Sequence, residues 1–134
     1  MPSQPTRTIF YADDDEDDIA LLREAFIANN HSVNLIEASD GESALNYLLS
    51  LTDTDTWPCL IILDINMPRM DGKQALMRIK KHERLKDVPV IMFSTSNNQL
   101  DVVFFKQWGV ELIQKPINTK EIQRIADTFI QHCK

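Results

Sequence analysis

The sequence is short of basic residues and of long apolar runs, and each shortage excludes a class of protein. It has 14 Lys and Arg against 20 Asp and Glu in 134 residues, and its net charge of −6 argues against a nucleic-acid-binding surface. No apolar stretch approaches the roughly 20 residues of a membrane span, and the start, MPSQPTRT, lacks the apolar core of a signal peptide. We therefore expect a cytoplasmic protein that binds neither nucleic acid nor membrane.

Cysteine and glycine are also scarce. The two cysteines are Cys59, inside an apolar run, and Cys133, next to the C-terminus. This placement is not that of a disulfide framework, so we expect two free thiols in a reducing cytoplasm. The three glycines form no G-x-x-x-x-G-K-S/T loop, which argues against direct use of ATP.

The residues that are present predict a single domain, 1–134, with a loose start at 1–6. Short runs that are apolar almost throughout are typical of buried parallel strands: TIFYA (8–12), CLIIL (59–63) and VPVIMF (88–93). Mixed runs are typical of edge strands: SVNLIEA (32–38) and VELIQK (110–115). The spacing of apolar residues predicts the helices: 16–29, 41–51, 72–82, about 97–108, and a last one that follows a cap at Asn118.

Strands that alternate with helices of this length predict right-handed crossovers and one parallel sheet. The predicted fold class is α/β, a doubly wound (βα)5 arrangement with five parallel strands in the order 2-1-3-4-5. In such sheets ligands bind at the carboxyl ends of the strands, beside the switch between strands 1 and 3.

Polar side chains follow four of the five strands at that edge: Asp13 and Asp14, Asp64, Ser94 and Thr95, and Lys115. Three carboxylates in one pocket would repel one another unless a divalent cation intervened, and an all-oxygen ligand set favours Mg²⁺ over zinc. A bound Mg²⁺ and the ammonium of Lys115 suit a phosphoryl group, and a carboxylate such as Asp64 can act as its nucleophilic acceptor. The acids at 15–18 begin a helix, so we interpret them as a surface feature.

Four motifs occur in order at the strand ends: the acidic pair after strand 1, LDINMPRMDG, the hydroxyl after VPVIMF, and QKP near the end. Over roughly residues 7 to 133 this pattern resembles the receiver domain of bacterial two-component response regulators, which has the flavodoxin-like or CheY-like fold. The resemblance implies phosphorylation by a sensor histidine kinase or a histidine phosphotransfer protein, with the receiver catalysing its own phosphorylation and dephosphorylation. The STS at 94–96 and the long connection before strand 3 resemble single-domain receivers found beside bacterial phytochrome kinases.

The resemblance assigns a role to each residue of the edge. It implies these metal contacts: Asp14 directly, Asp13 through water, Asn66 through its backbone carbonyl, and Asp64. Asp64 is also the implied phospho-acceptor, with Ser94 hydrogen-bonding the phosphoryl group and Lys115 pairing with it. Pro116 matches the position of a cis lysine–proline bond.

The sequence departs from the family at the switch, in which an aromatic ring swings inward when the hydroxyl residue moves toward the phosphoryl group. The family's aromatic residue three positions before the lysine is Leu112 here, and the loop from Gly109 to Lys115 is one residue shorter. The chemistry uses no ring, so we expect phosphorylation to survive. We expect the fourth helix and the fifth strand, within region 94–112, to rearrange by packing rather than by rotation of a ring.

Apolar side chains point all round the predicted fourth helix: Val102, Val103, Phe104, Phe105 and Trp108. A surface helix needs only one apolar face, so we predict a homodimer or partner surface around helix 4, strand 5 and helix 5.

Two alternative functions stay open at this point. One is a Mg²⁺-dependent phosphatase or phosphotransferase with Asp64 as nucleophile, although Asn66 stands where a second catalytic acid would be wanted and no insertion is long enough to cap the site. The other is a constitutive adaptor whose site is vestigial, although the complete set of strand-end residues argues against it. We favour the phosphoryl-accepting signalling switch.

Overall fold

The computed structural model describes residues 6–96 and 98–133. Strands and helices alternate along the chain: β1 Arg7–Ala12, α1 Glu16–Ala28, β2 Val33–Ala38, α2 Gly41–Ser50, β3 Leu60–Leu63, α3 Gly72–Lys81, β4 Val90–Ser94, α4 Gln99–Gln107, β5 Glu111–Gln114 and α5 Thr119–His132. The strands form one parallel sheet in the order β2-β1-β3-β4-β5. The predicted (βα)5 fold is therefore confirmed. Of the loose start expected at 1–6, only Thr6 lies within the described residues.

The strand register brings the carboxyl ends of the central strands together. The last residue of β1, Ala12, pairs with Leu63 at the end of β3, and Ser94 at the end of β4 pairs with Gln114 at the end of β5. Asp13 and Asp64 therefore leave adjacent strands at the same level.

The core lies on both faces of the sheet because successive side chains of a strand point to opposite sides. The three inner strands, β1, β3 and β4, are buried almost completely, whereas the edge strands β2 and β5 contain only exposed and half-buried residues. Phe10 belongs to the apolar cluster on the face covered by α2, α3 and α4. Tyr11 belongs to the cluster on the opposite face, which α1 and α5 cover. On the second face Phe93 of β4 meets Phe129 of α5 edge to face, with ring centroids 5.4 Å apart.

Side chains in the loops that follow the strands cap the helices. Asp15 accepts a hydrogen bond from the backbone N–H of Asp17 at the start of α1, and Asn118 accepts one from Glu121 at the start of α5, as predicted. Asp71 and Gln74 form a reciprocal capping box on α3. Within residues 6–96 and 98–133 we find no helix long and apolar enough to span a bilayer.

The expectation of two free thiols is wrong for this structure. Cys59, directly before β3, and Cys133, directly after α5, are joined as a disulfide with their Cα atoms 4.8 Å apart. The partners are 74 residues apart in sequence, and α5 brings them together because it runs back across the sheet and ends beside the start of β3.

Candidate functional site

Three carboxylates meet at the carboxyl edge of β1 and β3. One oxygen atom from each of Asp13, Asp14 and Asp64 lies within 4.8 Å of the other two. Asp13 is fully buried and Asp64 is 6% exposed, whereas Asp14 faces solvent. An all-oxygen set that is buried on one side and open on the other suits a hard divalent cation, as the sequence predicted.

Asp13 is held in place by groups on β1 and in the loop before α1. The hydroxyl of Tyr11 donates to Asp13 Oδ2 at 2.5 Å, and the backbone N–H of Asp15 donates to Oδ1 at 2.9 Å. Burial raises the pKa of the Tyr11 phenol far above its usual range, and the neighbouring charge of Asp13 raises it further, so this hydroxyl stays a donor. Tyr11 was missed in the sequence, although residues two apart on a strand share a face and this spacing could have indicated the contact.

Without a cation, the environment of Asp64 disfavours the ionised form of its carboxyl group. Its Oδ1 accepts a hydrogen bond from the backbone N–H of Ile65 at 2.7 Å, and its Oδ2 lies 3.3 Å from Lys115 Nζ. Burial, and then the charge of Asp13, raise the pKa of Asp64 to about 6, against the opposing effects of Lys115 and the Ile65 N–H. A bound cation would remove much of that cost.

Lys115 places its ammonium among three carboxylates. Its Nζ lies 2.7 Å from Asp13, 2.7 Å from Asp18 and 3.3 Å from Asp64, and its side chain is 8% exposed. Burial lowers the pKa of Lys115, but hydrogen bonds to Asp13 and Asp18 outweigh that effect and raise it above the usual range, so the ammonium stays charged.

Asp18 is the second site residue that the sequence interpretation missed, because it was grouped with the surface acids at 15–18. It is the third residue of α1, and it faces Lys115 across 97 residues of sequence. No local signal separated it from the other acids, because its partner lies in a distant segment of the sequence.

Ser94, Thr95 and Leu112 differ in how deeply they are buried. Ser94 is fully buried at the end of β4, and its backbone carbonyl accepts a hydrogen bond from the Lys115 N–H at 2.7 Å. Thr95 is exposed, and its carbonyl contacts the side chain of Gln114. Leu112 is half-buried on β5 and packs against the same cluster as Phe105 of α4.

Two further residues border the site. Asn66, two residues after Asp64, is exposed. The peptide bond between Lys115 and Pro116 is trans, as are the other described peptide bonds, so the expected cis bond is not found. A trans bond is the modestly favoured form before proline, and Lys115 reaches its acidic partners from it.

Gly72, the first residue of α3, lies directly against the backbone of Asp64. A Cβ atom at this position would lie 2.1 Å from the carbonyl oxygen of Asp64, and the Gly72 N–H donates to Ile65 at 2.7 Å. We expect Gly72→Ala to displace the end of β3 and to lower the free energy of unfolding by about 1–3 kcal/mol. Urea denaturation measures the change in the free energy of unfolding.

A suitable control for that prediction is Gln74→Ala, which changes an exposed residue of the same helical turn. It removes half of the capping box without placing an atom against β3, so its cost should be smaller. A Gly72→Ala protein as stable as the wild type would show that the loop shifts freely.

Comparisons with known proteins agree with this site. A family model described as the response regulator receiver domain matches residues 9–127. The response regulator Rcp1 of Synechocystis sp. is 33% identical over 127 residues, covering 92% of this chain and 86% of that protein. The crystal structure of the phosphorylated cyanobacterial phytochrome response regulator RcpA has a TM-score of 0.86 at 30% identity, covering 96% of this chain and 94% of that one.

A second solved structure, the Mn²⁺-bound form of response regulator Rcp1, has a TM-score of 0.80 at 29% identity and covers 91% of this chain and 90% of that one. Proteins of this family are phosphorylated on an aspartate and interact with histidine kinases or phosphotransfer proteins. From its fold, its carboxyl-edge cluster and these matches, the chain belongs to the receiver domains of two-component response regulators.

Proposed function

We propose that this receiver accepts a phosphoryl group on Asp64 in a Mg²⁺-dependent reaction. The donor is a sensor histidine kinase or a histidine phosphotransfer protein, and the reaction takes place in the cytoplasm. The observation that carries the proposal is the convergence of Asp13, Asp14 and Asp64 with one buried ammonium, Lys115, at the topological switch of the sheet.

The residues present fit a Mg²⁺ ion. Asp14 would bind it directly, Asp13 through water, Asp64 through a carboxylate oxygen and Asn66 through its backbone carbonyl. Mg²⁺ would neutralise charge on the transferring group. The Tyr11 hydroxyl and the Asp15 N–H each donate a hydrogen bond to one oxygen of Asp13, and together they fix the orientation of this carboxylate toward the ion.

The chain's own groups would do the remaining work of transfer. Asp64 attacks phosphorus, a new bond forms between its carboxylate oxygen and phosphorus, and the bond from phosphorus to the donor's imidazole nitrogen breaks. Lys115 would pair with a phosphoryl oxygen, and the buried hydroxyl of Ser94 would donate a hydrogen bond to another. With water in place of the donor the same groups would support hydrolysis of the phosphoryl-aspartate.

Output would run through the surface formed by α4, β5 and α5, as a homodimer or with a partner. Leu100 is 78% exposed and Val103 is 52% exposed on α4, whereas Phe105 is fully buried against β5. Exposed apolar groups on a helix whose other face is anchored to the edge strand suit an interface. Leu112 and Phe105 share one packed cluster, so a shift at the end of β4 can reach α4 by packing.

Phosphorylation by acetyl phosphate, followed by intact mass, tests the proposal. We expect one added phosphoryl group on the wild type with Mg²⁺. We expect none with excess chelator and none on Asp64→Asn, because the metal and the acceptor are then missing. Asp71→Asn, at the N-cap of α3, is the matched control and should still be phosphorylated. An unmodified wild type would contradict the proposal.

The same phosphorylated sample tests the output surface. We expect size-exclusion chromatography at high concentration to show association, and hydrogen exchange to change between residues 98 and 112. An unaltered monomer with unaltered exchange would contradict an output through α4 and β5.

A further inference from the structure

The ammonium of Lys115 is bound more closely to Asp18 than to the acceptor. Its Nζ lies 2.7 Å from Asp18 Oδ2 but 3.3 Å from Asp64 Oδ2. The Lys115 side chain is 8% exposed and the Asp18 side chain is 27% exposed, so this ion pair is largely shielded from water. A shielded pair is screened less by salt than a surface pair.

Asp18 differs in role from the other acids that touch Lys115. Asp13, as close to Lys115 as Asp18 at 2.7 Å, and Asp64 belong to the carboxylate group that suits a metal, and a bound cation would balance part of their charge. Asp18 lies outside that group and would keep its charge for Lys115. Its carboxylate therefore competes for the ammonium that the phosphoryl group needs.

We propose that Asp18 is a positioning residue that holds Lys115 away from Asp64 until a phosphoryl group is present there. This inference rests on the proposed function. Phosphorylation places anionic oxygens on Asp64, draws the ammonium toward them and breaks the pair with Asp18. The first turns of α1 are thereby coupled to the state of the acceptor.

The break would change a surface next to the site. Asp18 and Leu21 of α1 line one side of a groove of about 130 Å³, and Lys115, Pro116 and Ile117 line the other. The ion pair between Asp18 and Lys115 joins the two sides. Its loss on phosphorylation would free the α1 side of the groove from the loop that precedes α5.

Initial rates of phosphorylation by acetyl phosphate with saturating Mg²⁺ test the proposal. For Asp18→Asn we expect the second-order rate constant to rise roughly fivefold or more, because the ammonium is released toward the acceptor. Asp17→Asn is the matched control: it removes the same charge from the same helical turn, and Asp17 is exposed. Its rate should change by less than roughly twofold, the effect of an exposed charge screened by salt.

A second measurement is independent of phosphorylation by the variant. In metal-free, unphosphorylated protein, hydrogen exchange in the first two turns of α1 should be faster for Asp18→Asn than for Asp17→Asn. The wild type should approach the Asp18→Asn pattern only after phosphorylation. In a Lys115→Met background the substitution of Asp18 should have no further effect on this exchange, because the residue acts through Lys115.

The outcomes separate the two proposals. A wild type that takes up no phosphoryl group refutes the proposed function. A phosphorylated wild type with Asp18→Asn equal to Asp17→Asn, or slower than the wild type, overturns the role of Asp18 and leaves the proposed function intact.

Discussion

Asp64→Asn is expected to stabilise the metal-free protein at pH 8 by about 2–3 kcal/mol. The pKa of Asp64 is raised from 3.8 to about 6 in the folded chain, first by burial and then by the charge of Asp13. An acid with a raised folded pKa contributes stability that is present below its unfolded pKa and is lost as the pH rises through its folded pKa. Asparagine carries no charge at any of these pH values and so avoids that loss.

The stability difference between Asp64→Asn and the wild type should therefore increase with pH. Urea denaturation in chelator from pH 4 to pH 8 should show little advantage for Asp64→Asn near pH 4 and the full advantage above about pH 6. Asp17→Asn, from the exposed part of the acidic run, is the control because it removes the same charge from a solvated position. A variant less stable than the wild type at pH 8 would mean that the pair with Lys115 outweighs the cost of burial.

Added Mg²⁺ should narrow the difference in stability between the two proteins. A ligand that binds only the folded state stabilises it, by about 2.7 kcal/mol at a hundredfold excess over its dissociation constant. The wild type should gain this stability above about pH 6, where Asp64 is ionised, and Asp64→Asn should gain less. Equal gains in the two proteins would place the ion elsewhere.

Reduction of the Cys59–Cys133 disulfide is expected to lower the free energy of unfolding by about 2–4 kcal/mol. The bond closes a loop between residues that are 74 positions apart, and a loop of this length restricts the unfolded chain strongly. The measurement is urea denaturation with and without a phosphine reductant, with alkylation and intact mass to count thiols.

The double variant Cys59→Ser with Cys133→Ser is the control, and its stability should not respond to the reductant. Two thiols that alkylate in the native protein under air would contradict the pairing. In a reducing cytoplasm, where disulfides are rare, the same bond would be open for much of the time. The stability measured in vitro would then depend on the redox conditions chosen.

The sheet could be predicted from sequence because its inner strands are buried on both faces and read as continuous apolar runs. The boundaries were less certain: the run VPVIMF begins at Val88, yet β4 begins at Val90, since proline at 89 has no N–H to donate to the sheet. The order of the strands then placed Asp13, Asp64 and Lys115 at one edge, as the structure has them.

The missed features are contacts between segments that are far apart in sequence. Asp18 resembles its exposed neighbours, and only the return of the chain through β5 gives it a partner in Lys115. Likewise, Cys59 and Cys133 meet because of the direction in which α5 crosses the sheet. Hydrophobic periodicity carries no information about such pairs. Tyr11 was missed for another reason, since its apolar neighbours made it look like an ordinary core residue.

The position of Lys115 late in the chain bears on how the protein is synthesised. Asp13 and Asp64 are translated first, and Lys115 follows Asp64 by 51 residues. At the 5–20 residues per second of synthesis, this interval is about 3–10 s. During it the carboxylates of Asp13 and Asp64 are present without the ammonium that balances them in the folded protein. Lys115 can balance the acidic edge of the sheet only after β5 has been synthesised.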